Sequence, residues 1–344
     1  MSQAPGSKHG GAGHAQRRPA GVRLAGTGVS IPPGILTNAE LSKRVDTNDE
    51  WIAQRTGIRE RRIAAPGDSS ASLGAEAARL AIESAAIDPA ELDLIVAATA
   101  SPDYYFPATA SLIGERIGAD NVAGYDLSAA CTGFIYALAQ GYSQIASGLA
   151  ETVLVVGTEV FSRLLDWGDR STCILFGDGA GAVVLRRDQS GRGLRGFELG
   201  ADGRGACLLS VAAAGHSETE PEGPYVQMNG PEVYKFATRV VVESSERCLE
   251  AANLTVADVD VFVPHQANRR IIDHAARRLG LDEDRVFANV DRYGNTSAGS
   301  IPICLDEAWR AGRIDAGDIV LMVGFGGGLA WGSCVMEWTK ERAR

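Results

Sequence analysis

Short runs of aliphatic residues alternate along the chain with longer segments whose apolar residues recur at helical spacing. The runs at residues 94–96, 153–156, 261–263 and 320–323 are typical of buried β-strands, because strands covered on both faces carry few polar residues. Helical spacing is found for Phe134, Leu138, Tyr142 and Ile145, and again for Ile301, Leu305 and Ala308. This alternation predicts βαβ units and a largely parallel sheet covered by helices.

The pattern repeats itself when the chain is shifted by 167 residues, the separation between Asp93 and Asp260. Residues 93–96 then fall on residues 260–263, and residues 153–157 fall on residues 320–324. The helix that begins after Cys131 falls on one that begins near Ser300. Because three elements share one register, we predict two related α/β halves, residues 21–190 and 191–344, packed as one body. The first half carries about 16 additional residues near positions 161–176.

The composition is that of a globular protein with ample material for a core, since 45% of the residues are hydrophobic and 22% are charged. No run of about 18 uncharged apolar residues occurs, so we expect no membrane partner. The net charge of −10 argues against a general nucleic-acid binder. Residues 1–20 are rich in Gly, Ala, His and Arg and lack the apolar stretch of a secretory signal, so we predict a disordered extension.

The cysteines at positions 131, 173, 207, 248, 304 and 334 are scattered and form no Cys-x-x-Cys pair. This distribution argues against a zinc site and against a disulfide framework. It favours a reducing, cytoplasmic setting for the protein.

Three reactive residue types fall where ligands gather in α/β proteins, at strand ends and helix N-termini. Cys131 precedes a predicted helix, His265 follows the strand at residues 261–263, and Asn295 lies in the turn equivalent to that of Cys131. The helix dipole at Cys131 is expected to lower the thiol pKa from about 8.5 to roughly 3.5–7.5. Taken singly, a cysteine is more often a small core residue, a histidine is more often structural, and an asparagine of this kind is more often a turn residue. The repeat brings them to one centre, which predicts a Cys–His–Asn nucleophilic constellation.

Six segments that contain these residues carry a family resemblance. In chain order they are residues 51–59 (WIAQRTGIR), 128–134 (SAACTGF), 176–182 (FGDGAGA), 264–268 (PHQAN), 294–300 (GNTSAGS) and 324–328 (GFGGG). Together they resemble the β-ketoacyl-[acyl-carrier-protein] synthase III family, over about residues 22–338. The resemblance implies a thiolase-like, duplicated αβαβα fold of five layers and a homodimer.

The resemblance also implies a decarboxylating condensation that initiates type II fatty-acid synthesis. Cys131 would take an acyl group from an acyl-CoA, with acetyl or another short chain as the expected starter, and malonyl-acyl-carrier protein would then accept it. His265 and Asn295 would donate hydrogen bonds to the malonyl thioester as charge develops. The backbone N–H groups of Cys131 and Gly327 would form the hole for acyl transfer. No metal or redox cofactor is required.

Binding residues are likewise carried over from the family. Those implied for coenzyme A and its pantetheine arm are Trp51, Arg55, Arg170, Gly230 and Asn268. The starter pocket is expected to contain Phe106, Phe161, Phe176 and Leu209, with Phe106 reaching into the pocket of the partner subunit. Bulky groups there favour a short starter.

A basic segment follows His265 and is a candidate docking surface for the acidic carrier protein. Its arginines are Arg269, Arg270, Arg277 and Arg278, with Lys235 and Arg239 as additional candidates. Positive charge beside the active-site mouth would steer an acidic partner. A run of charges is as often a solvated helix face.

Three other functions remain open from the sequence. A condensing enzyme of polyketide or other secondary metabolism would keep the same Cys131, His265 and Asn295 and differ in its starter pocket. A thioester hydrolase or papain-like protease also uses Cys, His and Asn, although the usual surroundings of the protease cysteine are absent. A non-catalytic scaffold on the same fold would not need all three residues.

Overall fold

The computed structural model describes residues 21–213 and 225–342. The extension predicted at residues 1–20 lies outside the described residues. The strands are β1 (Gly21–Ser30), β2 (Gly34–Thr37), β3 (Glu60–Ile63), β4 (Leu94–Ala98), β5 (Ala123–Leu127), β6 (Thr152–Glu159), β7 (Gly179–Asp188), β8 (Leu194–Ala201), β9 (Leu209–Ser210), β10 (Gln227–Met228), β11 (Val261–Pro264), β12 (Ile319–Gly326) and β13 (Ala330–Glu337). The helices are α1 (Asn38–Leu41), α2 (Asp49–Thr56), α3 (Ser70–Ala85), α4 (Thr109–Ile117), α5 (Gly133–Ser147), α6 (Gly230–Ala251), α7 (Arg269–Leu279), α8 (Val290–Tyr293) and α9 (Ser300–Arg310).

Two large sheets have the same strand order. The first runs β1-β7-β6-β4-β5 and the second runs β8-β13-β12-β11. Both sheets are mixed, so the prediction of a largely parallel sheet is wrong in this respect. β7 and β13 run antiparallel to both of their neighbours. In the second sheet the reason is local, because residues 327–329 join β12 to β13 as a hairpin, which needs no crossover helix.

The predicted repeat corresponds to the elements of the structure. β6 and β12 begin 167 residues apart, as do α5 and α9. A fifth strand is absent from the second sheet in the described part of the chain, but one isolated parallel bridge remains at its place. Phe262 pairs with Val286, as Ile95 pairs with Gly124 in the first sheet. The predicted boundary at residue 190 falls in the loop between β7 and β8.

Three hydrophobic clusters hold the sheets and helices in five layers. The central cluster joins the inner faces of both sheets to α5 and α9, with Phe134, Leu138, Ile301 and Leu305 at most 1% exposed. A second cluster packs α3 and α4 on the outer face of the first sheet. A third packs α6 and α7 on the outer face of the second sheet. This αβαβα arrangement confirms the predicted fold.

The surface and the cysteines bear on two further expectations. Within residues 21–213 and 225–342, no helix has the length and apolarity needed to cross a membrane. All six cysteines are unpaired, and Cys207 alone is exposed. The absence of disulfides agrees with the scattered cysteine spacing.

Candidate active site

Two equivalent turns place the site between the halves. A short 3₁₀ turn precedes α5 at Ala130–Thr132, and another precedes α9 at Ser297–Gly299. Ala130 and Ser297 have φ angles of 45° and 46°, the left-handed region that costs a non-glycine residue about 1–2 kcal/mol. The two turns contact each other at the centre of the molecule. The repeat therefore preserves a strained backbone at the point where the two halves meet.

The structure brings together the three residues that the sequence singles out. Cys131, His265 and Asn295 are 4%, 2% and 6% exposed. All three line one cavity of about 480 Å³. Their roles remain predictions, but their position in one cavity follows from the fold, because each lies at a strand end or helix start that faces the junction of the halves.

Hydrogen bonding favours one tautomer of His265. Its Nδ1 lies 2.9 Å from Oγ of Ser300, and that oxygen accepts the backbone N–H of Gln266 at 2.7 Å. The Ser300 hydroxyl proton is thus available to Nδ1, so we assign the ring proton to Nε2. Nε2 is buried and has no hydrogen-bond partner among the described residues. Burial lowers the pKa of His265 to about 3, so the ring is neutral and presents an N–H donor.

Asn295 is oriented by its own turn. Its Oδ1 accepts the backbone N–H of Ser297 at 2.8 Å, so the Nδ2 group is the donor on the side of Cys131. Its backbone N–H donates to Leu175 at 2.8 Å, and its carbonyl accepts from Gly177 at 3.0 Å. These bonds attach the turn to the additional segment of the first half. Asn295 and His265 together supply two N–H donors to the cavity of Cys131.

The electrostatics of Cys131 oppose the expectation from the helix dipole. Burial raises the pKa of the Cys131 thiol to about 11. Hydrogen bonds from Ser297 and Asn295 lower this pKa, and the charge of Glu159 raises it. Because desolvation of the thiolate is the largest effect, the resting thiol is protonated beside a neutral histidine.

A second cavity, of about 390 Å³, lies on another side of Cys131. It shares Cys131, Phe176 and Leu209 with the first cavity and is also lined by Phe161 and Gly327. The rings of Phe161 and Phe176 are stacked with centroids 4.6 Å apart. An acyl group on the sulfur therefore has an apolar space to occupy that differs from the space containing His265.

Phe106 lies on the surface of this chain, and its expected place in the pocket of the partner subunit stays a prediction. Its side chain is 86% exposed and lines neither cavity. The reason is its position on the surface loop before α4. Any role in a starter pocket would have to be played in another subunit.

The residues expected to bind coenzyme A divide into two groups. Arg55, Gly230 and Asn268 line the first cavity. Trp51 and Arg170 lie outside its lining, and the guanidinium carbons of Arg55 and Arg170 are 4.6 and 5.4 Å from the centroid of the Trp51 ring. Asn268 has a structural task as well. Its Oδ1 accepts the N–H of Arg270 and its Nδ2 donates to the Arg55 carbonyl, so it joins α7 to α2.

The basic residues of α7 are not equivalent. Arg269 pairs with Asp273 at 2.6 Å and with Glu283 at 3.5 Å. Arg270 lines the first cavity, with its guanidinium carbon 5.2 Å from the Tyr234 ring centroid. Of the described carboxylates, none lies within ion-pairing distance of Arg270, Arg277 or Arg278. These three arginines are therefore available to an acidic partner, whereas Arg269 is already paired.

The two additional docking candidates also differ. Lys235 has no ion pair within the described ranges, whereas Arg239 pairs with Glu243 at 3.3 Å. Both line a groove of about 590 Å³ beside α6. Lys235 is therefore the freer of the two charges.

Sequence reasoning did not single out Glu159 or Ser300. Glu159 ends β6, is fully buried, and influences the pKa of Cys131. Its position at the carboxyl end of a central strand was a usable signal. Ser300 lies within a motif, but only the structure shows that it contacts His265. The described residues contain no group of three or more His, Cys, Asp or Glu side chains arranged to hold a metal ion.

Two related α/β halves in five layers, with a buried thiol where they meet, define the thiolase-like fold. The family described as 3-oxoacyl-[acyl-carrier-protein] synthase III matches residues 125–203, and its C-terminal part matches residues 249–338. A β-ketoacyl-[acyl-carrier-protein] synthase III of Desulfitobacterium hafniense is 51% identical over 326 residues, 93% of this chain and 98% of that protein. The chain therefore belongs to the β-ketoacyl-[acyl-carrier-protein] synthase III family.

Solved structures agree with this assignment. The 3-oxoacyl-[acyl-carrier-protein] synthase III of Aquifex aeolicus has a TM-score of 0.88 and 44% identity, covering 92% of this chain and all of that one. A priming β-ketosynthase from a polyketide pathway has a TM-score of 0.89 and 38% identity, covering 94% of this chain and 97% of that one. The protein is an acyltransferase, the condensing enzyme that initiates fatty-acid synthesis.

Proposed function

We propose that the enzyme condenses a short acyl-CoA, with acetyl-CoA as the first candidate, with malonyl-acyl-carrier protein through an acyl-Cys131 intermediate. The observation that carries this proposal is the position of Cys131 where two cavities meet. One cavity contains the donors of His265 and Asn295, and the other offers an apolar space for the acyl chain. A thioester substrate enters through the first and leaves its acyl group beside the second.

In the acylation step, the Cys131 sulfur attacks the thioester carbonyl and loses its proton. The C–S bond to coenzyme A breaks, and coenzyme A leaves as the thiol with the proton that Cys131 has lost. The backbone N–H groups of Cys131 and Gly327 would stabilise the oxyanion, since both residues line the second cavity. The end of β12 approaches the turn of Cys131 so closely that it requires glycine, because a Cβ on Gly326 would lie 2.8 Å from the Cys131 nitrogen.

In the condensation step, malonyl-acyl-carrier protein loses CO₂ and its enolate carbon attacks the acyl-cysteine. Negative charge develops on the malonyl thioester oxygen. The Nε2–H of His265 and the Nδ2–H of Asn295 are placed to stabilise this charge, and each donor of this kind is worth about 10²–10³ in rate. A neutral His265 can act as this hydrogen-bond donor, because it already carries the Nε2 proton and need not take one from solvent before each turnover.

We further propose that Arg55 and Trp51 mark the outer end of the coenzyme A path and that Arg270, Arg277 and Arg278 dock the carrier protein. Arg55 links the cavity lining to the Trp51 ring, which supports a nucleotide position at this rim. Arg270 lies at the mouth, and the other two arginines are exposed on the last turn of α7. Arg269 is not part of this docking surface, because it already forms ion pairs with carboxylates of the same chain.

The homodimer also belongs to this proposal. Among the described residues, β5 forms one edge of the first sheet, and no strand pairs with its outer side. Tyr125 on this edge and Tyr104 and Phe106 on the preceding loop are large exposed hydrophobic residues. Sheet edges and apolar patches of this kind favour association with a second copy. The six unpaired cysteines support a cytoplasmic setting.

The polyketide relative favours one alternative, a priming condensation with a larger starter. Its backbone matches this chain as well as that of the Aquifex aeolicus enzyme. The difference between the two functions is the acyl group that the cavity beside Phe161 and Phe176 accepts.

A panel of acyl-CoAs tests the proposal. The purified enzyme is mixed with acetyl-, branched-chain and longer acyl-CoAs, and the acyl adduct is quantified by intact-protein mass spectrometry. We expect the fastest adduct with a short chain and none in Cys131→Ala. A preference for long or aromatic acyl groups would favour the priming function, and adducts retained in Cys131→Ala would overturn the assignment of the nucleophile.

A further inference from the structure

A buried carboxyl that no step above uses lies beside the nucleophile. Glu159 ends β6 and is 0% exposed. Across residues 21–213 and 225–342, no lysine, arginine or histidine lies within 4.0 Å of its oxygens. A buried carboxylate without a cationic partner is expensive to maintain, so its presence calls for an explanation beyond charge pairing.

Neutral donors surround this carboxyl on both oxygens. Oε1 accepts from the Ser297 hydroxyl at 2.9 Å, and Oε2 accepts from the Ser101 hydroxyl at 2.5 Å. The backbone N–H of Ala100 lies 3.1 Å from each oxygen, and Thr99 and Ala298 add longer contacts. Every contact is a donor toward Glu159, which is the pattern of an ionised carboxylate held by hydrogen bonds.

One of these donors also reaches the nucleophile. The Ser297 hydroxyl donates to Glu159 at 2.9 Å, and the turn that carries Ser297 contacts the turn of Cys131. Ser297 is also among the groups that influence the pKa of the Cys131 thiol. The backbone of Ser297 is left-handed, with φ of 46°, in the turn that faces the turn of Cys131. A hydroxyl both donates and accepts, so it can pass a proton from one side to the other.

His265 is poorly suited to take the thiol proton. Its Nδ1 is occupied by Ser300, and its Nε2 carries the ring proton in the assigned tautomer. A neutral ring in this state offers the cavity a donor and no lone pair. The proton of Cys131 therefore needs a different acceptor.

We propose that Glu159 is a positioning residue that takes the Cys131 proton through Ser297 during acyl transfer and returns it to the departing thiolate. The thiol proton moves to Ser297 Oγ while the Ser297 proton moves to Glu159 Oε1. The sulfur then attacks the acyl-CoA carbonyl, and the C–S bond to coenzyme A breaks. The reverse relay protonates the coenzyme A sulfur, so the net charge of the site is unchanged. The inference rests on the proposed function insofar as Cys131 accepts the acyl group.

The ionisation of Glu159 supports this assignment. Burial raises the pKa of its carboxyl to about 7, and the hydrogen bonds from Ser101, Ser297, Ala100 and Ala298 lower it. The carboxyl therefore both accepts and releases a proton near neutral pH. The titratable groups on the elements packed around it are Cys131 before α5, Asp103 (reached through Ser70 and Ser101) and Asp178 (next to Gly179, which pairs with Glu159).

The test measures the thiol with and without acyl-CoA. Alkylation of Cys131 by iodoacetamide is followed against pH by mass spectrometry, and single-turnover acylation by acetyl-CoA is followed by rapid quench. The variants are Glu159→Gln and Ser297→Ala, the second of which leaves the buried carboxyl in place. Asp306→Asn is the matched control, because Asp306 is also 0% exposed but is bonded to Thr27 and Arg310.

In the wild type, alkylation should rise about tenfold per pH unit up to about pH 7 and then level off, because the thiolate forms by transfer within one Cys–Glu pair. Glu159→Gln should lose this break and rise continuously. Acylation near pH 7.5 should fall about 10²-fold in both variants, and the double variant should be no slower than either. Asp306→Asn should keep the break and acylate within about twofold of the wild type.

The opposite result is equally clear. A break near pH 7 that persists in Glu159→Gln, or acylation within about twofold of the wild type in both variants, would overturn the relay. Failure of the proposed function itself would look different. The wild-type alkylation profile would then still show the break near pH 7, while no acyl-CoA formed an adduct.

Discussion

The hydroxyl of Ser300 lies 2.9 Å from Nδ1 of His265, while Nε2 has no hydrogen-bond partner in the described part of the chain. This one contact favours the tautomer in which Nε2 carries the ring proton at the reaction centre. Ser300 begins α9, and α9 is the counterpart of α5, the helix that follows the nucleophile. The histidine is therefore oriented by the helix of the second half that corresponds to α5.

Ser300→Ala should weaken condensation more than acylation. Without the hydroxyl, the ring proton can move to Nδ1, and Nε2 then ceases to be a donor to the malonyl thioester. We expect the condensation rate to fall by up to about 10²-fold, because one oxyanion donor is partly lost. Rapid-quench rates for the two half-reactions measure this split, and Ser300→Thr, which keeps a hydroxyl, should restore much of the rate. An equal loss in both half-reactions would contradict the role of the tautomer.

Gly326→Ala should inactivate the enzyme through its backbone. The added Cβ would lie 2.8 Å from the nitrogen and 3.1 Å from the Cβ of Cys131, which cannot move without displacing the strained turn. We expect acylation to fall by at least tenfold and unfolding free energy to fall by about 1–3 kcal/mol. Gly67→Ala is the control, since a Cβ there meets no atom within 4 Å. Normal acylation by Gly326→Ala would show that the turn has more space than the structure indicates.

Arg270→Glu should raise the KM for malonyl-acyl-carrier protein and leave acylation by acetyl-CoA nearly unchanged. Reversing a charge at the mouth repels an acidic partner, and we expect about a tenfold increase at low salt. In about 1 M salt the increase should largely disappear, because screening acts within a few ångströms. Arg192→Glu, on the exposed loop between β7 and β8, makes the same charge change elsewhere. Equal effects of both variants would remove the docking surface.

The stability of the fold should depend on pH through two buried groups with opposite signs. His265 has a folded pKa of about 3, below its unfolded value of about 6.5, so between these values it destabilises the fold as pH falls. Glu159 has a folded pKa of about 7, above its unfolded value of about 4.3, so in that range it stabilises the fold as pH falls. Each contributes about 1.4 kcal/mol per pH unit inside its window.

Urea unfolding of His265→Gln and Glu159→Gln at pH 5 and pH 6 separates these contributions. His265→Gln keeps only the carboxyl, so its stability relative to the wild type should improve as pH falls. Glu159→Gln keeps only the imidazole, so its relative stability should decline as pH falls. The same pH slope in both variants would contradict the buried states assigned to these groups.

Much of the architecture could be predicted because duplication leaves a register in the sequence. The 167-residue shift places β6 on β12 and α5 on α9 without an offset. The same shift places Ala130 on Ser297, whose left-handed φ angles differ by one degree. What could not be predicted was the direction of β7 and β13, since an apolar run carries no information about which way a strand enters its sheet.

The candidate site was predictable only as far as residue type and position reach. Cys131, His265 and Asn295 stand in recognisable turns, and the structure places them in one cavity. The pKa of the Cys131 thiol was misjudged because the helix dipole is local, whereas desolvation depends on both halves closing over the turn. Glu159 was missed for a similar reason, since it approaches Cys131 only through Ser297 of the other half.

A chase of the isolated acyl-enzyme tests the central claim most directly. The enzyme is loaded with acetyl-CoA, freed of coenzyme A and mixed with malonyl-acyl-carrier protein, and both proteins are then analysed by mass spectrometry. We predict that the acetyl group leaves Cys131 and appears as acetoacetyl-carrier protein, with one CO₂ released per carbon–carbon bond formed. Discharge of the adduct as free acetate, with malonyl-carrier protein unchanged, would contradict it.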